Sequence, residues 1–155
     1  MQLIDVNVLV YAHREELPEH KDYRTWLQGV LAGDEAYGMA DLVLSGFLRV
    51  VTNPRLFNIP TPLDVALAFT DRMRSQPNCV PIAPGSRHWD IFTSLCRSAG
   101  AKGYLVPDAY LAALAIESGS EWITTASADP AGTTRGDWTV RVPERDHAPV
   151  RSRRM

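Results

Sequence analysis

Asp5, Asp108, Glu117 and Asp129 are acids set at the ends of apolar runs, the placement that paired-carboxylate chemistry requires. Asp5 lies between Ile4 and Val6 in the run LIDVNV. An acid in an apolar strand is costly to bury unless a cation or a hydrogen-bond donor meets it. The same residue also reads as a cap that satisfies backbone donors after a strand, and the pattern leaves the two roles even. Asp108 follows Pro107 at the head of the apolar stretch AYLAALAIESG. Alone it reads first as ordinary helix capping. Glu117 comes nine positions later, two and a half helical turns on and so on the opposite face, where a surface role is expected. Asp129 follows the small-residue stretch TTASA; it is placed either to join Asp5 or to make a turn before Pro130. Two or three carboxylates gathered at one place repel unless a divalent cation neutralises them. Magnesium takes a few carboxylates plus waters and partners phosphate substrates, where it activates water and stabilises charge on a phosphodiester.

The elements that must position these acids alternate between strand and helix. Leu3–Val6 reads as a buried strand, followed by a short helix to His13 with Asn7 as its cap. A second helix runs from Glu19 to Leu31, with Tyr23, Trp26, Leu27, Val30 and Leu31 at helical spacing and Gly33 past its end. A strand is expected over Ala36–Met39 and a helix from a capping Asp41 to Val51, stopped at Asn53-Pro54. Thr61-Pro62-Leu63-Asp64 has the form of a capped helix start, extending to Arg74. Val80–Ile82 reads as a buried strand, Ser86–Ala99 as a helix, and Pro107-Asp108 as the opening of another that Gly119 closes. Strands over Trp122–Thr124 and Trp138–Val142 complete an α/β pattern with a parallel sheet and helices on both faces.

The chain of 155 residues, 45% of them hydrophobic, is expected to form one domain over residues 1–143 with a basic, disordered tail over 144–155 that carries Arg151, Arg153 and Arg154. The net charge of −2 argues mildly against a nucleic-acid partner, so any RNA-binding surface must be local. No membrane span and no signal peptide are read, and a cytoplasmic protein is expected. Cys79 and Cys96 have no metal-ligand spacing and read as buried free thiols. His13, His20 and His88 share no such spacing either, and surface or interface roles are expected. Arg49 and Arg55 read as solvated or helix-end residues. Arg87 and His88 open a helix where a phosphate would meet backbone donors.

The segments LIDVNVLVYA, LVLSGFLRVVTNPR, APGSRHW and VPDAYLAALAIESGSEWITT, in that order between Leu3 and Thr125, resemble a PIN-domain toxin of the VapC type, the subgroup abundant in mycobacteria. The resemblance implies a three-layer α/β/α domain with a central, mostly parallel sheet. It implies a magnesium-dependent endoribonuclease, with manganese as an alternative ion, leaving a 5′-phosphate and a 3′-hydroxyl. Asp5 and Asp108 match the metal-binding acids, and Asp129 is expected to assist catalysis. The implied partners are an RNA substrate, a second copy of the chain and a cognate VapB-like antitoxin. The antitoxin's C-terminal segment is expected to lie in a groove built partly by Tyr11, Tyr23, Trp26 and Leu27.

Two departures stand out. Many PIN domains carry Glu where this chain has Gly46, and Asp41, five residues earlier, is either a partial substitute or a helix cap. After Thr125, Ala126 replaces an expected acid and Asp129 is displaced by about one residue, before Trp138 resumes the pattern. A second reading is therefore a degenerate PIN domain that binds antitoxin or RNA without cutting. A third, a receiver-like or phosphatase-like domain with Asp5 as phosphoryl acceptor, wants a second acid beside the first and a placed lysine. Lys102 is the only lysine after Lys21.

Overall fold

A computed structural model describes residues 1–125 and 140–141. The elements, in chain order, are β1 (Gln2–Ile4), α1 (Val6–His13), α2 (His20–Ala32), β2 (Tyr37–Ala40), α3 (Asp41–Val51), α4 (Leu63–Arg74), β3 (Cys79–Ile82), α5 (His88–Ser98), α6 (Leu105–Ser118), β4 (Glu121–Ile123) and β5 (Val140–Arg141). The strands form one sheet in the order β3-β2-β1-β4-β5, and every pairing is parallel. Register is set by Gln2 opposite both Tyr37 and Glu121, and by Ile4 opposite Ile123. The chain moves outward from β1 through β2 to β3, then returns to lay β4 on the other flank of β1. The order reverses at β1, and ligands of open parallel sheets bind at the carboxyl ends of strands at such a point.

Contacts divide the helices into two groups: α1 packs on α2 and α3, α3 packs on α4, and α5 packs on α6. Right-handed crossovers place the two groups on opposite faces of the sheet, giving the three layers. The core between them is built from Leu3, Ile4, Leu9, Val43, Phe47, Val51, Leu114 and Trp122, all fully buried. Apolar residues at both faces of β1 are what a covered parallel strand needs.

Several local expectations are corrected. Asp5, not Asn7, caps α1. Asp41 lies inside the first turn of α3, and the cap position is Ala40. Thr61 does not cap α4; Pro62 holds that position, and the Thr61 hydroxyl accepts from Arg14 instead. Residues 79–82 form an edge strand, with Val80 and Pro81 exposed rather than buried. Proline has no amide to give a ladder, and an edge tolerates that. Cys79 and Cys96 are free but half-buried. Gly119 closes α6 at φ 63°, a left-handed cap that glycine adopts without strain. Among the described residues, no helix is long and apolar enough to cross a membrane.

Candidate metal centre

Asp5 follows the last residue of β1, and its own amide donates to the Ile123 carbonyl at 2.9 Å, which ties it to β4. It is 3% exposed. With φ −84° and ψ 158° its side chain turns back onto α1, and Oδ1 accepts from the Val6 amide at 2.7 Å. Oδ2 accepts from the hydroxyl of Thr124, which is fully buried just beyond β4. The capping and ligand roles therefore do not compete. The Val6 amide and the Thr124 hydroxyl are neutral donors that fix the carboxylate's orientation without cancelling its charge.

Asp108 lies in the first turn of α6 and is partly buried, with Oδ2 out of contact with solvent. The topology explains where this puts it. α6 ends at Ser118 and leads through two residues into Glu121, which pairs level with the start of β1. The end of α6 is thus at the amino edge of the sheet. Fourteen residues span about 20 Å of helix axis, so its start lies at the carboxyl edge, where Asp5 is. Asp129, Ala126 and the tail lie outside the described residues.

The other acids are placed elsewhere. The Asp41 carboxylate is exposed and pairs with Arg74 at 3.5 Å, so it does not stand in for an acid at position 46. Position 46 itself has no room for one: a Cβ built on Gly46 would lie 2.8 Å from a Val6 methyl. Glu117 is not a free surface acid. Its two oxygens accept from the Gly85 amide at 2.7 Å and the Arg87 amide at 2.9 Å. The Gly85 amide is the main reason its carboxyl lies below the usual range. The backbone donors at the start of α5, expected to meet a phosphate, are thereby occupied. Glu117 is also about 13 Å along α6 from Asp108, too far to join it.

The histidines among the described residues are structural. His88 is buried, bonds the Tyr110 carbonyl at 3.1 Å, stacks on Phe92 and lies tilted against the Tyr110 ring. His13 lies edge-on to Phe47 and Phe69 and within 3.2 Å of the Thr61 hydroxyl. Burial, and then the Arg14 guanidinium, hold it below the ordinary histidine value. His20 bonds the Tyr11 carbonyl at 3.0 Å. Of the four aromatic and apolar residues expected to line a groove, Tyr23 and Leu27 are core; Tyr11 and Trp26 are half-buried beside it. Arg49 and Arg55 are exposed.

Two residues escaped the sequence reading. Thr124 had a weak signal, a hydroxyl at the carboxyl end of an apolar strand. Arg14 had none, because HREE looks like a solvated charge run. It is buried, donates to the Thr61 hydroxyl at 2.9 Å and the Ile59 carbonyl at 2.9 Å, pairs with Glu16, and lies 4.0 Å over the Phe57 ring.

Among the described residues, no three His, Cys, Asp or Glu side chains converge as a metal cage. What the carboxyl edge offers is the Asp5 carboxylate with its hydroxyl and amide support, and the first turn of α6 that carries Asp108. One or two carboxylates completed by water are what magnesium or manganese ordinarily takes from a protein, and the absence of sulfur donors there fits a hard cation.

Comparison with known proteins identifies the family and the fold. The PIN-domain family model matches residues 3–130. Ribonuclease VapC25 of Mycobacterium tuberculosis is 45% identical over 117 residues, 76% of this chain and 82% of that one. Ribonuclease VapC43 of the same organism is 44% identical over 124 residues, 80% of this chain and 84% of that one. The fold also matches a crystal structure of VapBC2 from Rickettsia felis bound to a DNA fragment from their promoter. Its TM-score is 0.60 at 14% identity, covering 92% of this chain and 98% of the other.

Proposed function

This chain belongs to the PIN-domain family, among its VapC ribonucleases, and from that membership we propose that it cuts RNA with a magnesium ion held by Asp5 and Asp108. The observation that carries the reading is the buried Asp5 carboxylate at the switch point of the sheet, oriented by the Val6 amide and the Thr124 hydroxyl. The ion, when bound, supplies Lewis acidity toward the phosphodiester and lowers the pKa of water. Asp5 would be the fixed ligand, because both of its oxygens already have a donor that holds their direction. Asp108, in the first turn of α6, would be the second. Asp129 assists by orienting the attacking water. In-line attack on phosphorus leaves the 5′-phosphate on one fragment and the 3′-hydroxyl on the other.

The toxin half of a toxin–antitoxin pair is the biological setting this implies, with a VapB-like antitoxin as partner and a homodimer as the working form. The experiment is RNA cleavage by the purified chain, with and without chelator, followed by end-group analysis. Cleavage that chelator stops and magnesium or manganese restores, with 5′-phosphate ends, is expected. Chelator-resistant cleavage, or 2′,3′-cyclic phosphate ends, contradicts the mechanism. RNA binding without any cutting under all metals points to the degenerate alternative.

A further inference from the structure

Gly46 is the sixth residue of the eleven in α3, deep inside a helix where glycine is among the least favourable choices. A Cβ at this position would meet Val6 Cγ2 at 2.8 Å, Cγ1 at 3.6 Å and Cβ at 3.9 Å. Real Cβ atoms do not approach a methyl that closely. The obstacle is also a stiff one. Val6 is the first residue of α1 and is partly buried, and a β-branched side chain in a helix has one strongly preferred χ1, so turning it aside costs energy. A side chain at position 46 therefore requires Val6, and with it the start of α1, to give way.

What moves with that turn is the support of the metal ligand. The Val6 amide is the donor on Asp5 Oδ1, whereas Oδ2 and the Asp5 amide are tied to Thr124 and Ile123 on the β4 side. Displacing α1 therefore pulls on the Oδ1 side of the carboxylate while the ties to β4, through Oδ2 and the Asp5 backbone amide, stay. We propose that Gly46 is a positioning residue for Asp5: by having no side chain it admits Val6, and Val6 in turn aims the carboxylate at the cation. This deepens the metal-centre reading and rests on it for its functional consequence.

The test combines Gly46→Ala with Val6→Ala, and uses Gly29→Ala, where a Cβ meets nothing within 4 Å, as a control for glycine replacement in a helix. Three quantities are read: manganese affinity by calorimetry, kcat against KM for RNA, and the position of the Val6 amide resonance in metal-free protein. Gly46→Ala should shift that resonance, weaken manganese about 10-fold and lower kcat roughly 10- to 100-fold with KM little changed. Val6→Ala in the same chain should restore manganese affinity and kcat, and leave the residue-6 amide where it lies in Val6→Ala alone. Gly29→Ala should change none. A local effect of helix propensity alone would make Gly46→Ala more stable and leave the site untouched. Wild-type manganese affinity and an unshifted Val6 amide in Gly46→Ala overturn the proposal. If Gly46→Ala does not fold, the double variant decides: restored folding and affinity support it, and failure of either overturns it. If wild-type protein neither binds manganese nor cuts RNA, the metal-centre reading fails, and the Val6 resonance still reports whether Gly46 sets the Asp5 anchor.

Discussion

Asp5 performs two roles that compete in most contexts, helix cap and candidate ligand. It does so because its oxygens are divided, Oδ1 to the Val6 amide and Oδ2 to the Thr124 hydroxyl. Removing the charge while keeping the shape separates them. Asp5→Asn should nearly abolish RNA cleavage and leave the circular dichroism spectrum and unfolding cooperativity in place; a cleavage rate within a few-fold of wild type would remove Asp5 from the chemistry. Thr124 is a sharper test of orientation. Thr124→Val is isosteric but leaves Oδ2 without that donor, at a stability cost of about 1–3 kcal/mol, and should weaken manganese binding roughly 10- to 100-fold. Thr124→Ser keeps the hydroxyl and should stay near wild type. Equal behaviour of the Val and Ser variants would show that the methyl, not the hydroxyl, matters. Asp5 was legible in the sequence because an acid in an apolar run is costly and demands an explanation. Thr124 was not, because threonine at a strand end is ordinary and its partner is 119 residues away in the chain.

At the scale of elements, two polar clamps hold helices in place. One is Glu117 at the end of α6, gripping the Gly85 and Arg87 amides ahead of α5. Gly85 leaves room for the carboxylate: a Cβ there would lie 2.6 Å from a Glu117 oxygen, which would have to shift and lengthen its bonds to the two amides. Gly85→Ala and Glu117→Ala should each lower the thermal midpoint without changing kcat, because the clamp is about 13 Å along α6 from Asp108. A fall in kcat larger than a few-fold in folded protein would place this clamp in the active machinery. The other clamp joins the end of α1 to the segment before α4, where Arg14 and His13 share the Thr61 hydroxyl. Burial and then the Arg14 charge disfavour protonated His13, so its folded pKa lies below the unfolded value of 6.5. The unfolded chain then binds the proton more readily. His13 contributes stability that is fully present above pH 6.5 and is lost as pH falls through the lower, folded value. Denaturation midpoints should drop between pH 7.5 and pH 5.5, and the drop should shrink in His13→Gln; an equal drop in the variant assigns it to other groups. Helix existence was readable from apolar spacing, but caps were not. Thr61 has the sequence of a cap and serves Arg14, and Arg14 is hidden in a charge run, because which donor a hydroxyl meets is settled by contacts distant in sequence.

For the molecule as a whole, the parallel sheet and its reversal at β1 put Asp5 and the start of α6, about a hundred residues apart in the chain, toward the same edge. The α/β alternation and the carboxyl-edge location were legible from the order of elements. The register and the edge position of β3 were not, since a strand of apolar residues looks the same at an edge as in the middle. If the chain is one half of a pair, light scattering of the purified protein should give a dimer mass, and the small protein encoded beside it should co-purify and suppress cleavage. A strict monomer that ignores that protein would leave the fold and metal centre standing and remove the toxin–antitoxin setting.

The most direct measurement is a manganese titration of three proteins, wild type, Asp5→Asn and Asp108→Asn, by calorimetry in the absence of RNA. If both carboxylates hold one cation at the switch point of the sheet, wild type binds manganese with a defined isotherm and each single variant loses most of that affinity. Undiminished binding in Asp108→Asn, with the variant folded, would mean that α6 does not deliver its acid to Asp5, and would contradict the shared site.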